Sequence, residues 1–425
     1  MEKIIVNQNI QSLKPSATLA INQKVNRLRA EGKEIYHFGF GQSPFPIHES
    51  IVATLKENAY NNHYLPTIGL EKLRDQIAQF LTKHQNIIAD KNFIYIGPGS
   101  KELLYQTILI LEGTFLIPKG SWVSYGPQIN SKNGKFAVLD TSLKNNFKLD
   151  SSILLKYCQE NPDEQKSLIL NSPNNPTGAI YSSDELKKLA EVCRAYNIIV
   201  LSDEIYSQVN FHEEYSPSIS NFYPERTIVF GGLSKVFSAG GYRLGFMVLP
   251  KDLEFLHDTY RSLFSETFSA VSSPIQFASI EAYKYKKELK KYVINTSQIL
   301  KGISDYVYDE LTLINIDCTQ PSGAFYMMIG FNNFKEKINN LGITTSTELA
   351  NHLLELYSVA LLPSTDFYFE KHDLFFRLAF VDFDGETVYD LFKNKSMIDK
   401  FFIRDNCPNI FKGIEKINSF INDIS

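Results

Sequence analysis

Cysteine, tryptophan and unbalanced charge are scarce in this chain of 425 residues. The four cysteines, Cys158, Cys193, Cys318 and Cys407, are scattered, and no two form a CxxC pair. That excludes a disulfide-stapled scaffold and fits free thiols in a reducing compartment. The eight histidines make no HxxxH pair, so no metal centre is expected. A formal net charge of -4 leaves no basic field for nucleic acid or an anionic membrane. No apolar run approaches the roughly 18 residues that a membrane-spanning helix needs. The first residues carry charge too early and lack the apolar core of a signal peptide. No internal repeat or low-complexity tract is found. These absences together predict a cytoplasmic, soluble protein.

What is present is ordinary for an enzyme: 44% hydrophobic and 21% charged residues. The length allows two domains or one large subunit. The most informative stretch runs from Gly231 to Gly245. It holds Lys235, then Arg243 eight positions later, with Gly231, Gly232, Gly240, Gly241 and Gly245 around them. Glycine lets backbone pass close to a ligand. A lysine there can form a Schiff base, and an arginine can grip a phosphate through paired donors. The pair points to a phosphorylated aldehyde held at both ends, and pyridoxal 5'-phosphate is the obvious candidate. A surface loop with two solvated cations would carry the same residues.

The rest of the chain reads as alternating strands and helices. Strands are predicted at 34–38, 93–96, 114–117, 136–139, 167–170, 198–201, 227–230 and 245–249. Helices are predicted at 15–30, 50–57, 70–81, 102–111 and, behind the capping box of Ser182 and Glu185, over 183–196. The run Ile198–Leu201 is apolar throughout, as expected for a strand covered on both faces. This alternation predicts an α/β fold with a mainly parallel sheet wrapped by helices. Ligands in such sheets collect at the carboxyl ends of strands. Gly99, Asn175, Asp203 and Lys235 all fall just after predicted strands. The turn Gly97–Lys101 leading into a helix is a geometry that offers backbone N–H groups to an anion. Beyond residue 250, helices are predicted at 251–264, 274–309 and 346–358, the second as a bridge between domains. Strands are predicted at 311–316, 323–329 and 374–381, and an amphipathic helix of isoleucines over 410–424. This second part reads as a smaller α+β domain. The expected division is 1–50 as an N-terminal arm with part of the small domain, 51–299 as the large cofactor-binding domain, and 300–425 as the rest of the small domain. The charged and aromatic stretch 395–407 is left unassigned.

Three segments in order, Asn171–Gly178, Ser202–Tyr206 and Gly232–Lys235 with Arg243, resemble the class I aminotransferases of pyridoxal-phosphate fold type I. The resemblance runs from Lys14 to Arg377. It implies a PLP-dependent transaminase with Lys235 as the cofactor lysine and proton carrier. Asp203 is then the partner of the pyridine nitrogen, and Tyr206 and Asn175 are donors to the ring hydroxyl oxygen. Arg243, Gly99, Ser100 and the backbone of Lys101 match the phosphate cradle. Trp122, the only tryptophan, matches the ring stacked on the pyridine. Tyr64 resembles a tyrosine that reaches the phosphate of a neighbouring subunit, which implies a homodimer with shared sites. Arg377, in an otherwise apolar strand, matches the fork for the substrate α-carboxylate, with the Gly41 backbone beside it.

Lys14–Thr18 and Lys101 further resemble the prokaryotic aspartate aminotransferase subgroup. That implies Thr18 and Lys101 as receivers of a distal carboxylate, aspartate as amino donor and 2-oxoglutarate as acceptor. An aromatic or other amino-acid aminotransferase and a PLP-dependent C–S β-lyase share these motifs. Three segments depart from the family pattern. Gly232 stands where many members carry serine. Gln42-Ser43-Pro44 replaces a more usual Glu-Pro-Asp, and Leu362–Asp366 replaces a commoner Pro-Gly turn. The last two border the substrate pocket.

Overall fold

A computed structural model describes residues 6–395 and 397–424. The first five residues of the expected arm, Ser396 within the unassigned stretch, and Ser425 lie outside the described residues. Thirteen strands are present among them: β1 (Tyr36–His37), β2 (Ile94–Gly97), β3 (Thr114–Pro118), β4 (Lys135–Leu139), β5 (Lys166–Asn171), β6 (Ile199–Asp203), β7 (Thr227–Gly232), β8 (Gly245–Val248), β9 (Asp317–Cys318), β10 (Tyr326–Gly330), β11 (Val359–Ala360), β12 (Leu362–Pro363) and β13 (Phe375–Ala379).

Seven of them make the central sheet, in the order β2-β8-β7-β6-β5-β3-β4. All its ladders are parallel except those of β8, which runs against β2 and β7. Alternation along the strands feeds two separate core layers. Phe115, Ile117, Ile169, Ile199 and Leu201 pack on one face, and Leu116, Leu168, Leu170 and Val200 on the other. Both faces are therefore sealed by helices, which is why these strands read as unbroken apolar runs. Each such side chain is worth ~1.5–3 kcal/mol on full burial. The helix Ser183–Ala195 starts as the capping box predicts. Ser182 Oγ accepts from the Glu185 N–H, and the Glu185 carboxylate accepts from the Ser182 N–H.

Two small sheets complete the fold: an antiparallel sheet β12-β13-β10-β9 and the parallel pair β1-β11. The helix Pro408–Asp423 buries Ile410, Ile414, Ile417 and Ile421, the stripe expected from sequence. Lys400–Asn406 within the unassigned stretch is a short helix, capped by Asp399 accepting from the Phe402 N–H at 2.7 Å.

Two expectations are corrected. The helix expected over 274–309 is two helices, Ser273–Lys284 and Lys287–Leu313, parted at Tyr285, whose φ is +47°. In one helix Tyr283 and Tyr285 would point to nearly opposite faces. The break lets both rings pack edge-on to Phe80, each at 5.3 Å. The strand expected over 311–316 is instead the last residues of that second helix, to Leu313, and the turn that follows, with Leu311 buried and Asn315 left-handed at φ +64°. Its β-branched look is overridden by the long helix that precedes it.

Candidate active site

Strands β5 and β6 end side by side at the paired residues Asn171 and Asp203. Beside them, β7 ends at Gly232 and leads into Lys235. Gly232 is in register with Gly245 of β8, and Gly245 with Gly97 of β2. Three adjacent strands thus carry glycine at the same rim. The reason is space: a Cβ on Gly245 would lie 2.3 Å from the Ser100 nitrogen. That rim seats the N-terminus of the helix Ser100–Ile110. Its cap residue, Gly99, has φ +99° and brings no side chain to the first-turn N–H groups. A Cβ there would strike the Arg243 guanidinium at 2.5 Å. Glycines, helix N-terminus and Arg243 form one anion cradle. Arg243 is itself held by donating to the carbonyls of Gly240 at 2.9 Å and Pro98 at 3.3 Å.

A cavity of about 300 Å³ opens at this rim. Lys101, Lys235, Arg243 and Arg377 line it against a single carboxylate, Asp203. The imbalance favours an anionic occupant. Lys235 Nζ donates to the Gly41 carbonyl at 2.9 Å and lies near the rings of Tyr206 and Phe325. Burial, and then Arg377 and Arg243, pull its pKa down to about 8. Asp203 is buried and pushed up to about 6 by desolvation, which the Tyr125 hydroxyl partly offsets by donating at 2.8 Å. Asn171 Nδ2 donates to the Asp203 carbonyl, and Asn171 Oδ1 accepts from the Asn175 N–H, both at 2.8 Å. Asn175 Oδ1 in turn accepts from Arg377 at 3.2 Å.

Arg377 is 1% exposed. It donates to the Gly39 carbonyl at 2.6 Å and lies over the rings of Tyr326 and Phe367, yet its Nε has no partner. A buried guanidinium so under-used is held ready for an acceptor. Gly41 is close-packed: a Cβ would overlap the Tyr326 ring. Tyr326 OH donates to the Gly41 carbonyl at 3.3 Å and lies 2.8 Å from Tyr206 OH. On the outer wall, Lys101 Nζ sits 5.2 Å over the Trp122 ring, and burial lowers its pKa. Thr18 also lines the cavity, with an unpartnered buried hydroxyl.

Of the residues singled out from sequence, Gly41, Thr18, Ser100, Lys101, Trp122, Asn175, Asp203, Tyr206, Lys235, Arg243 and Arg377 line this one cavity. Gly99 sits behind it, against Arg243. Tyr64 does not reach it and is 93% exposed. Sequence reasoning passed over Tyr125, Asn171, Tyr326 and Asp366. Asn171 opens the Asn171–Gly178 motif, and Tyr125 follows Trp122 by three residues. Tyr326 gives no local signal. Asp366, whose carboxyl burial pushes up to about 6 while Arg377 and Lys14 oppose the shift, was seen only as a departure from a turn.

The donor set fits pyridoxal 5'-phosphate: an anion cradle, a buried carboxylate, a flat aromatic wall and an amine with lowered pKa in one cavity. Residues 33–389 match the family Aminotransferase class I and II. An aspartate aminotransferase of Geobacillus stearothermophilus is 33% identical over 369 residues, 85% of this chain and 91% of the relative. One from Bacillus subtilis (strain 168) is 31% identical with the same coverage. The structure of an aspartate aminotransferase from Thermus thermophilus with maleate superposes with a TM-score of 0.84 at 23% identity, over 98% of this chain and 99% of that one. That likeness establishes the fold.

Proposed function

The chain belongs to the class I and II aminotransferases, enzymes dependent on pyridoxal 5'-phosphate, and from that premise we propose that it moves the amino group of aspartate to 2-oxoglutarate. The observation that carries this reading is that Lys235, Arg243 and Arg377 line one cavity, with both arginines acting on the lysine. The cofactor supplies an electron sink for the substrate's α-carbon. Arg243, Ser100 and the first turn of the helix Ser100–Ile110 hold its phosphate. Asp203, held by the Tyr125 hydroxyl, would pair with its pyridine nitrogen, Asn175 and Tyr206 would serve its ring hydroxyl, and Trp122 would supply an aromatic wall for the ring. The Lys235 amine, drawn toward neutrality by its surroundings, accepts a proton at Nζ and returns it.

Arg377 grips the α-carboxylate, using the Nε that otherwise lacks a partner, and Gly41 meets the same group. Lys101 and Thr18, on the far wall, receive the distal carboxylate of a dicarboxylic substrate. The reading includes a cytoplasmic homodimer in which Tyr64 serves the partner's site. Its support is the exposure of Tyr64 and the free state of all four cysteines. Among the described residues no helix is long and apolar enough to cross a membrane. Residues 51–299 then form the cofactor-binding unit, and 1–50 with 300–425 the unit that closes the substrate side. The test is a half-reaction: amino acids added singly to the holoenzyme, with the cofactor absorbance followed. Aspartate and glutamate should convert it fastest. A faster conversion by phenylalanine or alanine would remove the dicarboxylate assignment.

A further inference from the structure

Ser43 lies in the segment that departs from the family's usual residues, two positions after Gly41. Its hydroxyl is 2.7 Å from the hydroxyl of Ser238, a left-handed residue (φ +57°) three positions after Lys235. Ser238 Oγ is in turn 2.8 Å from Tyr292 OH, and Tyr292 donates to the carbonyl of Pro46 at 2.7 Å. Ser43 and Tyr292 are buried, at 8% and 2% exposure.

A hydroxyl has one hydrogen to give. Tyr292 spends its hydrogen on Pro46, so Ser238 must donate to Tyr292. Ser238 then has none left, so Ser43 must donate to Ser238. The direction of the whole chain is fixed: Ser43 to Ser238 to Tyr292 to the Pro46 carbonyl. It begins and ends in one loop, 43–46, and passes through the lysine loop and the helix Lys287–Leu313 on the way.

We infer that Ser43, Ser238 and Tyr292 are positioning residues: a one-way hydroxyl latch that fastens the Gly41 loop to the Lys235 loop and so sets the spacing between the α-carboxylate site and the reacting amine. The other link between the two loops is the bond from Lys235 Nζ to the Gly41 carbonyl. That bond depends on the very amine that has to act in the reaction. The latch does not, and it keeps the loops together when Lys235 is engaged elsewhere.

The direction of donation makes the variants unequal. Ser43→Ala removes a donor at the start and leaves only a spare acceptor on Ser238. Tyr292→Phe leaves both the Pro46 carbonyl and the Ser238 hydrogen without a partner, which is the dearer loss. Hydrogen exchange at the amides of Gln42, Ser43 and Phe45 should therefore quicken roughly two- to tenfold in Tyr292→Phe, the worth of one neutral hydrogen bond. The increase should be smaller in Ser43→Ala, and the amides of β6 should keep the wild-type rate in both. This arm is read without substrate and stands whether or not the transaminase reading holds. The kinetic arm rests on that reading: KM for every amino acid should rise by a similar factor, with kcat within about twofold. Unchanged exchange in Tyr292→Phe, a larger effect from Ser43→Ala, or a fall in kcat at constant KM would each overturn the latch.

Discussion

Asp203 and Lys235 stand at the ends of adjacent strands, whereas the other wall of the same cavity is gathered from both ends of the chain. Arg377 reaches Gly39 across 338 residues, and Arg29 reaches Asp382 across 353. The cofactor side is fixed by hydrogen-bonded ladders sealed on both faces. On the substrate side Arg377 is carried by the small antiparallel sheet β12-β13-β10-β9, and that side is joined to the cofactor side by a few discrete contacts: Arg377 to Asn175, Lys235 to Gly41, and the hydroxyls of Ser43, Ser238 and Tyr292. In the proposed reading, the residues that hold the cofactor therefore sit on the rigid side. Two of the three departures, Gln42–Pro44 and Leu362–Asp366, border the side held by separable contacts; the third, Gly232, ends β7 on the cofactor side. Differences in substrate can accumulate there without disturbing the sheet.

The sharpest way to test that division is to remove one residue from each side. Lys235→Ala should fold, keep cofactor through its phosphate, and lose turnover by roughly 10²–10⁴-fold, the scale of a general acid–base group. Borohydride trapping in the wild type should label Lys235; label on another lysine would break the assignment. Arg377→Ala should lower kcat/KM by at least about a hundredfold for every amino acid alike, taking two charge-assisted bonds at ~1.5–3 kcal/mol each and ~1.4 kcal/mol per decade. Cofactor content should be unchanged, and a loss of cofactor would show that the two sides are not separable. Lys101→Ala should cost aspartate on the order of ten- to a hundredfold and leave phenylalanine nearly untouched. Equal losses on both would return Lys101 to the phosphate cradle.

The smallest effect concerns an electrostatic link between the two sides. Burial and the neighbouring arginines bring the Lys235 pKa down to about 8, and only a neutral amine can attack an aldehyde. Cofactor uptake at this residue should rise about tenfold from pH 7 to pH 9 and then level off, whereas an ordinary lysine would climb about a hundredfold. After burial, the Arg377 charge does most to hold this pKa down. Arg377→Ala should therefore move the curve to higher pH, since removing a cation favours the protonated amine. A curve that stays in place would mean that burial alone sets the value.

The cofactor side was legible because its residues sit in short, contiguous motifs just after apolar strands. The unbroken apolar runs and the glycine turns are local signals, and they placed Asp203, Lys235 and the helix at Ser100. The substrate side gave weaker signals. Arg377 stood out only because an apolar strand rarely tolerates a lone cation. Tyr326 was invisible, since its role depends on pairing Met328 opposite Arg377 in β10 and β13. The helices Tyr125–Ser131, Ser151–Glu160 and Gly385–Lys395 were passed over. The first is short and begins in what reads as a loop, and Tyr125 went unassigned with it. The break at Tyr285 was equally hidden, because an aromatic residue is the last type whose left-handed conformation a sequence announces.

The strand pair β1-β11 adds a consequence for synthesis. Tyr36 and His37 leave the ribosome early but pair only with Val359 and Ala360. The last strand of the central sheet ends at Val248, and Tyr260 and Phe264 complete one of its core layers. Domains tend to fold as units while the chain is still growing. On a nascent chain the cofactor's seat is therefore completed first, and the wall that recognises the amino acid closes only after β13 has emerged.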